Sequence, residues 1–274
     1  MSKLTEYSAA TRFDSGDILI KDGTGGTKKI TAANAAVEFA GLVSAMNHRN
    51  VYRGKSLGSS VTAAQKATIQ SGKFDDLFIG DYWSIGGYNY RIADMDYWYN
   101  CGDEPAFTKH HLVIVPDSIG VTAPMNDTDT TVGGYVGSKM YTETLPSVKN
   151  TISSAFGDML LTHREYLVNA VTDGRPSAGA WFDSQVELMN EIMVYGCYVH
   201  TPAGDGVNRP TRHTINKQQL SLFRLNPTMV NRRMTYWLRD VVSASRFAAV
   251  YYFGDATTGN ASLVFSVRPV FAIG

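Results

Sequence analysis

This 274-residue sequence predicts an α+β protein with a mixed, mainly antiparallel sheet. Three observations carry that expectation. Strand-like runs flank Gly86-Gly87, a two-residue hairpin turn. Helix-like runs are grouped in the middle of the chain rather than interleaved with strands, which argues against a doubly wound parallel sheet. With 15 Tyr, 12 Phe and 25 Gly, the composition suits β-rich folds and aromatic binding surfaces.

Residues 1–12 are polar, and Asp17-Ile18-Leu19-Ile20-Lys21 reads as a short strand. Asp22 to Thr27 is a glycine turn, and Lys28-Lys29-Ile30 returns as a second strand. Thr31 is a helix N-cap, and Ala32, Ala36, Phe39, Leu42, Val43 and Met46 recur behind it at helical spacing. Residues 1–50 are expected to form an N-terminal segment and 51–274 the main domain. A further helix begins at the cap Thr62 and stops at Gly72. Residues 77–85 and 88–98 form the Gly-Gly hairpin, with Trp83, Ile85, Tyr88, Tyr90 and Ile92 marking its alternation. Residues 111–116 are a short strand ended by Pro116, and 126–135 a loop. Helices are expected over 145–155, ended by Gly157, and over 163–171. Arg175-Pro176-Ser177-Ala178-Gly179 breaks the pattern, and Asp183 caps a helix over 184–195 that Gly196 ends. Residues 201–208 are a loop, and 220–225 and the C-terminal tail supply strands.

The formal net charge is zero and only 18% of residues are charged, which argues against a nucleic-acid binder held by a basic field. Arg209, Arg212, His213, Lys217, Arg224, Arg232 and Arg233 form a mildly basic cluster that suits a solvated or subunit-contact face. No apolar run is long enough to cross a bilayer, so no membrane insertion is expected. The N-terminus lacks a signal-peptide core, so a protein acting outside the cell would leave by another route, such as lysis. Cys101 and Cys197 are expected to be separate buried or half-buried thiols. There is no G-x-S-x-G, no H-E-x-x-H and no phosphate loop, and the protein is expected not to be an enzyme. Adjacent His110 and His111 point to opposite faces of a strand, one buried and one exposed, and do not share a metal. Asp94 and Asp96 share a strand face. Asp127 and Asp129 lie with Asn126 in a loop where carboxylates and carbonyls could hold calcium, although Asx turns suit them better. No cofactor is expected, and calcium stays open.

The chain is organised around its tail, which runs from Tyr236-Trp237-Leu238-Arg239 to Val267-Arg268-Pro269-Val270-Phe271. Trp237, Val264, Phe265, Val267, Val270 and Phe271 are expected to anchor strands in the core. Arg239 and Arg268 are expected to bond buried carbonyls or carboxylates. Ala248, Ala249 and Val250 are bland enough to be core strand. The candidate ligand-binding residues are Ser243, Ser245, Arg246, Phe247, Tyr251, Tyr252, Phe253, Asp255, Thr257, Thr258, Asn260 and Ser262, expected on one exposed face. Tyr and Phe give large contact area at low entropic cost, and Ser, Thr and Asn give adaptable hydrogen bonds.

Two resemblances follow from these residues. The phrase from Gly16 to Ile30, G-D-x-L-x-x-D-G and then G-T-x-K-I, resembles the N-terminal segments of phage tail-fibre and other virion proteins. From about residue 70 the chain resembles phage proteins of the C-type-lectin-like class. The matching phrases are Ile79-Gly80-Asp81-Tyr82, Tyr90-Arg91-Ile92-Ala93-Asp94, His110-His111 through Pro116, Gly133-Gly134-Tyr135-Val136-Gly137-Ser138, the helix end at 188–196, Tyr236-Trp237-Leu238-Arg239 and Val267-Arg268-Pro269. The spacing of the last two is similar to that of variable proteins of diversity-generating retroelements. Such retroelements mutate adenines, and randomising the first two bases of their favoured Asn codon never yields Lys, Gln, Glu, Met or Trp. None of the five occurs after Trp237. The resemblance implies a C-type-lectin-like fold and a virion protein made in the bacterial host's cytoplasm. It implies that the tail binds a bacterial surface protein or glycan and that residues 1–50 bind other virion proteins. It also implies a homo-oligomer, with a trimer favoured. A structural virion protein with a lectin-like brick, or a cell-wall-active enzyme, are the alternatives.

Overall fold

The computed structural model describes residues 18–21, 28–31, 48–103, 105–202 and 218–274. β1 (Ile18–Lys21) and β2 (Lys28–Thr31) pair antiparallel, Ile18 opposite Thr31, and the glycine turn expected over 22–27 lies outside the described residues. The helix expected behind Thr31, over 32–46, most of the 201–208 loop, and Arg209, Arg212, His213 and Lys217 lie outside the described residues. Packing into the main body starts by His48, which is buried and stacks on Phe78 at 4.5 Å, three residues before the expected boundary.

α1 (Ala63–Gln70) starts with a capping box. The Thr62 hydroxyl accepts from the Gln65 amide at 3.2 Å, and Gln65 Oε1 accepts from the Thr62 amide at 2.9 Å. β3 (Tyr82–Ile85) and β4 (Tyr88–Met95) form the expected hairpin, and Gly86 and Gly87 both take positive φ, as the turn requires. β4 ends at Met95, short of 98, where Asp96 turns the chain with φ +53°. β5 (Leu112–Pro116) and β6 (Thr122–Ala123) follow. A π-helical turn then leads into α2 (Leu145–Phe156), whose Leu145, Val148, Ile152 and Phe156 line one buried face.

The next region corrects the expectation. Residues 163–171 are not a helix, and Arg175-Pro176-Ser177-Ala178-Gly179 does not break a pattern. β7 (His163–Thr172) and β8 (Arg175–Ser184) form a long antiparallel ribbon with bulges around Ala170. Its turn is Asp173-Gly174, with φ +51° and +73°. Nor does Asp183 cap a helix. Ser184 closes β8, residues 186–188 are β9 (Val186–Leu188), and helix α3 (Glu191–Tyr195) is capped by Asn190, whose Oδ1 accepts from the Met193 amide at 2.7 Å. Gly196 ends it with φ +80°, as expected. Residues 220–225 are not a strand either. α4 (Ser221–Leu225) buries the consecutive Leu222 and Phe223, and buried Asp94 accepts from its first amide at 3.0 Å.

The tail supplies β10 (Tyr236–Val241), β11 (Arg246–Val250), β12 (Ala256–Asn260), β13 (Phe265–Ser266) and β14 (Pro269–Ile273). Two five-stranded sheets result, ordered β3-β4-β5-β14-β9 and β12-β11-β10-β13-β6. Only the β10–β13 pairing is parallel among them, so the described fold is mixed α+β with mainly antiparallel sheets. Tyr90, Phe156 and Phe271 meet in the core with ring centroids 5.1–6.2 Å apart. Cys101 is buried, and burial pushes its thiol up to about 12, whereas Cys197 is exposed rather than half-buried. No helix among the described residues is long and apolar enough to cross a membrane.

Candidate binding surface on the tail hairpin

Buried cations hold the tail. Arg239 is 2% exposed and its Nη2 donates to Glu165 Oε1 at 2.7 Å, tying β10 to β7. Arg268 is equally buried. Its Nε donates to the Pro116 carbonyl and its Nη1 to the Met229 carbonyl, both at 3.1 Å. Around Arg239 lie two fully buried carboxylates, Glu165 and Glu187, with His163 Nε2 3.5 Å from Glu165. Burial pushes Glu187 up to about 7, with nearby Glu165 adding to the rise and Arg239 opposing it. Trp237 donates its indole N–H to the Ala123 carbonyl at 2.9 Å and packs on Phe265 at 4.4 Å. Val264 does not anchor the core: it is 60% exposed.

From this base β11 and β12 run as a hairpin, in register from Arg246 opposite Asn260 to Val250 opposite Ala256. One end is aromatic. The Tyr251 amide donates to the Asp255 carbonyl at 2.7 Å, and the Gly254 amide to the Tyr251 carbonyl at 2.8 Å. The Tyr195 hydroxyl braces the turn by donating to the Gly254 carbonyl at 3.0 Å. Tyr251, Tyr252 and Phe253 stand exposed on it, with adjacent rings 4.2 and 4.0 Å apart. Phe253 and Asp255 also wall a groove of about 710 Å³, opposite Tyr195, Asn231 and Arg233.

The other end, roughly 15 Å away along five-residue strands, is polar and clamped. Thr131 donates its amide to the Ala244 carbonyl at 3.0 Å and its hydroxyl to the Ser243 carbonyl at 2.8 Å. Asp129 accepts from Asn260 Nδ2 at 2.9 Å and from the Ser262 hydroxyl and amide at 2.6 and 3.1 Å. The Ser262 hydroxyl, foremost among these donors, holds the Asp129 carboxyl below the usual range. The β7–β8 turn packs here too, because a Cβ on Gly174 would sit 2.8 Å from the Ala244 nitrogen.

Of the candidate residues, Arg246, Tyr251, Tyr252, Phe253, Asp255 and Ser262 are exposed. Ser243, Ser245, Thr257, Thr258 and Asn260 are half-buried. Phe247 is fully buried, a correction: it faces Val241 on β10 and Gly259 on β12, inside the packed side of the sheet. The set is spread along the hairpin, with Tyr251, Tyr252, Phe253 and Asp255 at the aromatic end, Ser243, Ser245, Arg246, Asn260 and Ser262 at the polar end, and Thr257 and Thr258 between them on β12. The sequence reading missed Leu263 and Val264, both exposed beside Ser262, and Asn231 and Arg233 in the groove.

The carboxylates considered for calcium are engaged elsewhere. Asp127 pairs with Lys139 at 2.5 Å and Asp129 with the tail. Asp94 receives Arg49 and the Ser221 amide, while Asp96 takes His110 at 2.8 Å and the His111 amide at 2.9 Å. His111 is buried against Trp98 and His110 is partly exposed, on opposite sides as expected. Among the described residues no group of three or more His, Cys, Asp or Glu is arranged so that it could hold a metal ion. No family model, curated protein or solved structure matches the chain.

Proposed function

We propose that this protein is a receptor-binding component of a phage particle. A C-type-lectin-like body presents the tail hairpin to a protein or glycan on the bacterial surface. The observation that carries this is the exposed triplet Tyr251-Tyr252-Phe253 on a turn whose backbone is braced by Tyr195. Three adjacent exposed aromatics on a fixed backbone are pre-organised contact area, the composition of binding hot spots. The hairpin grows from a base locked by Arg239 and Arg268, so side chains at its aromatic end can change without disturbing the core. In this reading residues 1–50 attach to other virion proteins, and trimerisation raises weak single-site affinity. Diversification by a retroelement would act on residues 243–262.

The test is binding of the fluorescently labelled protein to a panel of bacterial strains. Combined Tyr251→Ser, Tyr252→Ser and Phe253→Ser substitution is expected to weaken cell binding by about tenfold or more, since hot-spot truncation removes at least ~1.4 kcal/mol. An unchanged melting temperature is expected beside it. A triple variant that binds as well as the parent, or a parent that binds no strain, overturns the proposal.

A further inference from the structure

The second sheet ends at β12, and that edge is unusually open. Of the four edges of the two five-stranded sheets, β6 and β9 are two and three residues long. The outer edge of β3 is occupied by residues 56–58, through Leu57 donating to the Tyr82 carbonyl at 2.7 Å and Ser84 donating to the Gly58 carbonyl at 2.9 Å. Among the described residues β12 has none of these protections. It runs five residues with no Pro, no charged side chain and no bulge in its register.

The phase of its hydrogen bonds can be worked out. Ala261 donates to the Ser245 carbonyl and Tyr251 to the Asp255 carbonyl, so the bonded pairs between them are Phe247 with Gly259 and Ala249 with Thr257. Ala256, Thr258 and Asn260 therefore turn their N–H and C=O groups away from β11. The Asn260 carbonyl is taken by the Leu263 amide at 2.9 Å. A row of alternating donors and acceptors spaced for a ladder is left facing outward, with Thr258 at its centre. Exposed apolar side chains flank it, Tyr251 to Phe253 at one end and Leu263 and Val264 at the other.

We infer that β12 is a strand-addition edge on which an extended segment of a receptor polypeptide pairs as a sixth strand. The inference rests on the receptor-binding reading and commits it to a protein ligand. Only another extended backbone repeats donors and acceptors at this spacing, and backbone pairing gives affinity while side-chain contacts at the ends give specificity. The fitting segment has an uncharged middle opposite Ala256–Asn260 and apolar residues at both ends.

The probe is an array of capped synthetic heptapeptides with uncharged, β-branched centres and apolar ends, together with copies N-methylated at alternate amides. The full-length parent is expected to bind members of the array, and N-methylation to abolish that binding. Thr258→Pro removes an outward N–H without touching the β11 ladder. Thr258→Lys places a charge on the edge as a second variant, in exchange for the bond from Arg246 Nη1 to the Thr258 hydroxyl at 3.3 Å, and its melting temperature is compared with the parent's. Both are expected to weaken peptide binding about tenfold or more, equivalent to the loss of one or two ladder bonds. The inference is overturned if no peptide binds, if N-methylated copies bind equally, or if both variants bind as the parent does. A parent dimer that Thr258→Lys dissociates gives the edge to a second copy and also overturns it. Periodate or protease treatment of cells separates this from the parent reading. Binding lost to periodate but not to protease overturns strand addition and keeps receptor binding, whereas a parent that binds no cells ends the receptor reading itself.

Discussion

The two ends of the β11–β12 hairpin hold similar numbers of candidate residues and are fixed in opposite ways. At the polar end side chains do the fixing, Asp129 gripping Asn260 and Ser262. At the aromatic end the backbone is fixed by Tyr195 and the turn's own amides, and the rings lean on each other in solvent. Side chains that maintain the fold cannot be exchanged freely. The difference therefore separates a clamp from a contact surface within a single hairpin, and it places replaceable chemistry at 251–255 more than at 243–246.

Substitutions sharpen that contrast in order of size. Arg239→Ala, below both ends, leaves Glu165 buried beside an empty space and is expected to cost about 3–5 kcal/mol in urea unfolding. Phe247→Ala should cost a similar ~3–5 kcal/mol through its cavity. Phe253→Ala, six residues on, should stay within about 0.5 kcal/mol while impairing cell binding. Equal losses of stability from the two phenylalanines would erase the distinction between framework and surface.

The buried groups also make the framework pH-sensitive. Burial holds Glu187 near 7 against an ordinary 4.5, so the folded state carries an extra proton in that window and stability falls as pH rises through it. Burial holds His111 near 4 against 6.5, so there the unfolded state carries the extra proton and stability falls as pH drops. Where the windows overlap, from 4.5 to 6.5, the two effects offset. Glu187→Gln removes only the first. The parent's urea midpoint is expected to stay level over that range, and the variant to lose about 2–3 kcal/mol on acidification across it. A level profile in the variant would remove His111 from this account. The smallest effect belongs to the clamp: Asp129→Ala is expected to speed amide exchange at Ser262 severalfold and leave Gly254 unchanged. Equal acceleration at both would mean that the ends are not independent.

Much of the fold was legible where a local signal had a single meaning. Thr62 with Gln65 announced α1, and Gly86-Gly87 announced β3–β4, because each pattern serves one backbone geometry. The ribbon β7–β8 was missed although Asp173-Gly174 is a strong hairpin signal. Tyr166, Leu167, Val168 and Val171 imitate helical spacing, and Pro176 sits within a strand, which is tolerated because the ribbon has only two strands. Residues 220–225 are too short for periodicity to separate strand from helix, and a distant partner, Asp94, decided the matter. The roles of Arg239 and Arg268 could be anticipated because a buried guanidinium needs acceptors. The burial of Phe247 could not, because alternation along β11 is hidden when both faces of its neighbour β10 are covered.

The register that sets Arg246 opposite Asn260 closes the base of the β11–β12 hairpin. The segment between them starts and ends at two points about 5 Å apart. Its entry and exit stay the same however long it grows. Doubling a loop's length adds only about 0.6 kcal/mol of closure entropy. Insertions at the 251–255 turn should therefore be absorbed as readily as substitutions, which makes the length of this segment, as well as its composition, available to variation.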